Sequence, residues 1–190
     1  LIMNFEKGHL FHVYNRGNNR NKIFFSKKNY FYFIKKIITY ILPYCDLYAY
    51  CLMPNHFHIM LEVNKCEING VTLNDSVGIL LSSYAKAINK QEQRTGSLFQ
   101  QKTKAVCLTK IDKLSPSWFK HLGITIINTQ TIESSYPYIC MAYIHNNPVK
   151  AGLVFYPEFW EYSSFRYYAK SIESKLINFE KGKEFFVGHL

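Results

Sequence analysis

Acidic residues are scarce in this chain. Against 23 Lys and Arg stand 13 Asp and Glu, and the resulting net charge of +10 with a pI near 9.3 points to a polyanionic partner, nucleic acid first and an anionic membrane surface second. Long apolar runs are missing as well: the most hydrophobic stretch, Tyr30 to Leu42, is interrupted by Lys35 and Lys36 and stopped by Pro43, so no membrane-spanning helix is expected. Leu1 to Lys7 lacks a signal-peptide layout. Paired cysteines are absent too. Cys45, Cys51, Cys66, Cys107 and Cys140 form no CxxC and no even framework, which fits reduced thiols in a cytoplasm. A zinc site from Cys51, His56 and His58 would lack the second cysteine pair that completes such sites.

What the chain does have is material for a core. Its 190 residues are 48% hydrophobic, enough for one domain. We read that domain over residues 1–170, with an insertion near 110–132 and a C-terminal tail at 171–190.

Pro54 to Val63 carries the first chemistry. Successive side chains of a strand alternate between faces, so Phe57, Ile59, Leu61 and Val63 make an apolar face, and His56, His58, Met60 and Glu62 an open one. Side chains two apart lie roughly 6.5 to 7 Å apart, close enough for two imidazoles to converge on one divalent ion. A pair of surface histidines is the plainer alternative. Glu62, about 13 Å along the strand from His58, is out of reach as a third ligand.

Around this strand, His9 to Tyr14 reads as a first strand ending in a basic turn, Asn15 to Arg20. Ser26 caps a helix from Lys27 to Leu42 with Tyr30, Ile34, Ile37 and Ile41 as its core stripe. Leu47 to Met53 is the antiparallel neighbour of the histidine strand, Cys66 to Val71 a loop, and Thr72 or Asn74 the cap of a helix closed by Gly96. That helix buries Val77, Leu81, Tyr84 and Ile88, while Lys86, Lys90 and Arg94 form a basic stripe, either a solvated face or a set of phosphate contacts. Val106 to Leu108 is extended, and Lys110 to Ile132 holds a small hairpin or a long loop. A last helix, capped by Ser134 or Ser135 with Pro137 in its first turn, is expected to break at Pro148. The aromatic segment from Phe155 to Phe165 packs back on the domain.

On that last helix Tyr143 and Asn147 are four apart and share a face. If the face lies over the histidine strand, Asn147 supplies a ligand oxygen and Tyr143 a phenol beside the ion. A cation that binds phosphodiester oxygens makes the phosphorus more electrophilic, and the product of attack by Tyr143 would be a phosphotyrosine that keeps the bond energy for rejoining.

The chain resembles the IS200/IS605-type single-tyrosine transposases of the HUH superfamily, and in particular their REP-associated relatives. The resemblance rests on His12 to Gly17 (HVYNRG), Met53 to Leu61 (MPNHFHIML), Gly96 to Gln100 (GSLFQ), Tyr143 to Val154 (YIHNNPVKAGLV) and Trp160 to Ser164 (WEYSS), in the family's order. It implies a ferredoxin-like α+β sandwich, an antiparallel sheet with helices packed on one face. It implies further that His56 and His58 are metal ligands, Asn147 a polar third ligand and Tyr143 the nucleophile. The implied activity is metal-dependent transposition by cleavage of single-stranded DNA, often beside a hairpin, with Mg2+ or Mn2+ and through a 5'-phosphotyrosine, in a bacterial cytoplasm. The site is completed either within a monomer or across a homodimer. Arg16, Arg20, Lys102 and Lys104 are candidates for DNA contacts, and no membrane partner is expected. Lys110 to Ile132 lengthens the spacing before Tyr143 relative to this family. A catalytically inactive or domesticated hairpin-binding protein is the alternative function.

Overall fold

The computed structural model describes residues 3–110, 119–121, 124–126 and 132–186. Its centre is a four-stranded antiparallel sheet in the order β2-β3-β1-β6. The strands are β1 (Leu10–Arg16), β2 (Cys45–Met53), β3 (His56–Val63) and β6 (Lys104–Cys107). Helices α1 (Lys27–Tyr40), α2 (Leu73–Gln91) and α3 (Ile132–Lys150) flank it, giving the expected α+β architecture.

Alternation along β3 sorts the layers. Phe57, Ile59, Leu61 and Val63 are buried on one face, where Phe33 of α1 packs on Phe57 and Tyr84 of α2 packs on Phe33. Tyr84 is fully buried and its hydroxyl donates to the Ile23 carbonyl at 2.8 Å. The stripe read on α1 is rotated, since Phe33 rather than Ile34 takes the buried position beside Tyr30 and Ile37. Leu80 likewise replaces Leu81 on α2. The other face is not open. Met60 and His58 are buried on it, because α3 lies across β2 and β3.

Local chemistry sets the element boundaries. Ser26 and Asn29 form a capping box on α1, and Thr72 and Asp75 form one on α2. The first strand extends through Asn15 and Arg16, two residues into the expected turn, because β3 pairs with it as far as Arg16↔His56. The expected loop at Cys66 to Val71 is a hairpin, β4 (Glu67–Ile68) with β5 (Val71–Thr72), turned by Asn69 and Gly70, both at positive φ. Asn-Gly is the dipeptide that such a tight turn favours. Pro54 and Asn55 connect β2 to β3, and their carbonyls accept from Ile23, Phe24 and Gly17. Gly17 is needed there: a Cβ on it would stand 2.0 Å from the Asn21 carbonyl oxygen.

Within Lys110 to Ile132, β7 (Phe119–His121) and β8 (Ile124–Ile126) pair antiparallel, so part of that stretch is the hairpin alternative; the rest lies outside the described residues. Helix α3 starts at Ile132, before the expected serine caps, and runs past Pro148 to Lys150. Pro148 has no N–H to give the preceding turn. Burial of Cys140, Met141 and Ile144 holds the helix together despite that loss. It closes one turn later: Gly152, at positive φ, and Leu153 return their N–H groups to Val149 and Pro148, the pairing that satisfies the last carbonyls of a helix.

The aromatic segment covers the outer edge of β2. Leu52 donates to the Tyr162 carbonyl, Ser164 to that of Tyr50 and the Trp160 indole to that of Leu52, which removes an edge open to foreign strands. Beyond α4 (Phe165–Ala169), the residues read as a tail return to the sheet: Leu176 and Ile177 are buried, and α5 (Phe179–Gly182) sits beside β2. Among the described residues no helix is long and apolar enough to cross a membrane.

Candidate metal and tyrosine site

Register places the site. In the sheet Arg16 lies opposite His56 and Tyr14 opposite His58, so one face carries Tyr14, Arg16 and both histidines. Helix α3 crosses this face with Tyr143 and Asn147 on its underside. Tyr143 meets His58 edge-on at 5.3 Å between ring centroids. Tyr14, Asn15, Arg16, His56, His58, Gln100, Lys102, Lys104, Tyr143 and Asn147 together line one cleft of about 360 Å³.

The two Asn residues at the end of α3 bend back on the helix. Asn146 Nδ2 donates to the Ala142 carbonyl at 3.0 Å and Asn147 Nδ2 to the Tyr143 carbonyl at 2.8 Å. With its amide nitrogen committed in this way, Asn147 turns Oδ1 toward His56 Nε2, 3.4 Å away. On its other side His56 Nδ1 lies 2.6 Å from Asn55 Oδ1, whose own Nδ2 donates to the Arg20 carbonyl. Both amide oxygens can only accept; a neutral His56 has one ring proton to give, and the shorter contact, to Asn55, favours its placement on Nδ1, which leaves Nε2 able to bind a cation. Burial, with the charge of Arg16 adding to it, lowers the His56 pKa against the opposing pull of Asn147, and the ring is neutral at pH 7.

With the proton on Nδ1, His56 Nε2 and Asn147 Oδ1, 3.4 Å apart, are two electron-pair donors that one cation could share. A third donor is at hand: His58 Nε2 is buried and has no hydrogen-bond partner among the described residues. Burial first, then the charges of His12, His56 and Arg16, holds the His58 pKa well below the usual histidine range. Among the described residues no three His, Cys, Asp or Glu come together as a metal group; an ion here would need the Asn147 amide oxygen as its third protein ligand. Two nitrogens and one amide oxygen suit a hard-to-borderline divalent cation with open positions for water or substrate. Glu62 is engaged elsewhere, with Tyr48 and Lys181. Cys51 is fully buried, outside the cleft, and its thiol is pushed up by that burial, which disfavours the zinc alternative.

Burial raises the Tyr143 phenol above its ordinary pKa, while a hydrogen bond with Asn147 and the charge of Arg16 pull it back. Lys150 Nζ lies 5.3 Å from the Tyr143 ring centroid, and Lys104 Nζ lies 5.7 Å from that of Tyr14. Of the basic residues singled out in the sequence, Arg16, Lys102 and Lys104 are in the cleft and the others are not. Arg20 contributes its carbonyl to Asn55. Lys86 and Lys90 are exposed on α2, across the sheet, and Arg94 lies against Phe25. The sequence reading missed His12, Tyr14, Gln100 and Lys150. The alternation His12, Tyr14, Arg16 on β1 was the available signal for the first two, and the i, i+4, i+7 spacing of Tyr143, Asn147 and Lys150 for the last.

The architecture is that of an α+β protein with a central four-stranded antiparallel sheet and the Tyr143-bearing helix laid across it. A search of solved structures finds this fold in a REP-associated tyrosine transposase determined with a REP hairpin bound, at a TM-score of 0.56 over 90% of this chain and 86% of that one, with 16% sequence identity. No protein-family model and no curated protein matches the sequence.

Proposed function

We propose that the chain is a metal-dependent DNA transposase that cleaves and rejoins single-stranded, hairpin-adjacent DNA through a phosphotyrosine on Tyr143. The observation that carries this reading is the convergence of His56, His58 and Asn147, the His58 Nε2 among them without a partner among the described residues, and Tyr143 in one basic cleft. The fold shared with a transposase solved on a DNA hairpin supports it.

In this reading His56, His58 and Asn147 hold Mg2+ or Mn2+. When bound, the ion neutralises phosphate charge and makes the phosphorus more electrophilic. Arg16, Lys102 and Lys104 hold the strand by its phosphates. The Tyr143 oxygen forms a bond to phosphorus as the bond to the 3'-oxygen breaks. The phenol gives up its proton and the departing 3'-oxygen gains one, leaving a 5'-phosphotyrosine and a free 3'-hydroxyl. Reversal by another 3'-hydroxyl rejoins the strand with no external energy source.

The test is a pool of single-stranded oligonucleotides, each with one hairpin and randomised flanks, incubated with the protein in Mn2+ or in chelator. A covalent protein–DNA adduct that survives denaturant is expected in Mn2+ only. Retained hairpin binding with no adduct in either condition would support the inactive binding protein instead. The basic residues make a separable prediction. Changing Lys102 or Lys104 to Ala should lower the slope of log affinity against log salt by about 0.7 to 0.9 each, whereas Lys86→Ala and Lys90→Ala should leave it unchanged. Equal effects from both pairs would remove the cleft as the binding surface.

A further inference from the structure

We infer that His12 is a positioning residue: its ring Nε2 accepts the Nδ1 proton of His58 and so holds His58 in the tautomer whose Nε2 lone pair faces the cleft. The inference deepens the proposed cation site and rests on it for its purpose. His12 is on β1, diagonally across from His58, and its Nε2 lies 2.8 Å from His58 Nδ1. Both rings are buried, 8% and 5% exposed. They lie edge to edge, 27° between planes and 5.0 Å between ring centroids, and Tyr14 stacks on His12 with ring centroids 4.7 Å apart.

A single proton sits between the two nitrogens, and its two placements differ in consequence. If His12 donates it, the neutral His58 carries its own proton on Nε2, where a buried N–H would meet no acceptor among the described residues. Leaving a buried donor unpaired is costly. If His58 donates it, Nε2 is a lone pair aimed into the cleft, which is what a cation requires. His12 then keeps its proton on Nδ1 and cannot itself be a ligand through Nε2, which is occupied by His58. Asn55 is placed to do the same for His56, accepting at Nδ1 over 2.6 Å while Nε2 faces the Asn147 oxygen. Both histidines of the strand are thus set by a neighbour that accepts at Nδ1, and such outer partners commonly set the affinity of a metal site.

The experiment combines long-range 1H–15N NMR of the histidine rings in the metal-free protein at pH 7.5 with Mn2+ titration, for the intact chain, His12→Gln and His12→Leu. The amide oxygen of Gln reaches about where Nε2 stood, and Leu accepts nothing. Expected are a proton on Nδ1 of His58 in the intact chain, Mn2+ affinity kept within about threefold by Gln, and a loss of about 10- to 100-fold with Leu accompanied by movement of the His58 proton toward Nε2. A His58 proton already on Nε2 in the intact chain, or a Leu variant with unchanged tautomer and affinity, overturns the inference. Should the Leu variant not fold, the intact and Gln spectra still locate the His58 proton and decide the matter. Should the intact chain bind no Mn2+, the cation reading falls, while the tautomer comparison still tests His12.

Discussion

On the proposed function, Tyr143→Phe is expected to abolish covalent attachment to hairpin DNA, by at least about 10⁴-fold, since loss of a nucleophile removes the step rather than slowing it. It leaves hairpin affinity within about threefold. The ring that packs against His58 and His12 is retained, and only one hydroxyl is lost. The measurement is adduct yield on a denaturing gel beside equilibrium binding of the same oligonucleotide. A second phenol, Tyr14, also lines the cleft and is the internal competitor. Its environment argues against it: burial and Cys140 raise both phenols, but Tyr143 also has two groups, Asn147 and Arg16, that favour the phenolate, and Tyr14 has neither. Tyr14→Phe should therefore keep adduct formation. Undiminished adduct in Tyr143→Phe, with loss in Tyr14→Phe, would transfer the nucleophile to β1 and sink the helix-borne assignment.

The parts of this site that could be read in advance were those with a local period. Strand alternation placed His56 and His58 on one face, and helical spacing placed Tyr143 and Asn147 on another. Neither pattern says that the two faces meet; that came from a resemblance and is now a matter of geometry. What escaped were residues whose role depends on register. His12 looks like a polar interruption in an apolar strand until β1 is set beside β3 and its ring falls next to His58. Asn55 reads as a turn residue, yet it fixes the His56 proton. The basic stripe of α2 has the right spacing and the wrong side of the sheet. Pro148 was over-weighted as a helix breaker because its local cost is visible in sequence, while the burial of Met141, Ile144 and His145 that outweighs it is tertiary. Asn69-Gly70 is the one clear local signal left unread.

Burial of neutral histidines has a second consequence, for stability, and it predicts acid unfolding driven by imidazoles rather than carboxylates. Burial lowers His12 to about 4 and His145 to about 3, and it lowers His56 and His58 as well. In the unfolded chain these rings take up protons near pH 6.5. Above that pH both states are neutral and the rings contribute no pH dependence. Below it the unfolded state binds protons that the folded state refuses, so stability falls as pH drops from 6.5 toward each folded pKa, by about 1.4 kcal/mol per ring per pH unit. At pH 4.5 His12 and His145 together account for a loss of about 5 kcal/mol, the lower end of the whole stability of a typical domain. The carboxylates with a lowered pKa, Glu6 and Asp75, are fully exposed and offer little to lose. His145 isolates the effect. It is buried against Phe165 and Tyr168, away from the cleft, with Nε2 at 2.8 Å from Ser164 Oγ, and Gln can keep that hydrogen bond without titrating. Urea unfolding of metal-free protein between pH 7.5 and 4.5 should show His145→Gln less stable by about 1 kcal/mol at the upper end, and more stable than the parent by about 1 to 2 kcal/mol at the lower end. The two curves should cross. Curves that stay parallel over that interval would mean that His145 takes up a proton in the folded state as readily as in the unfolded one, and that the buried rings are not what acid attacks.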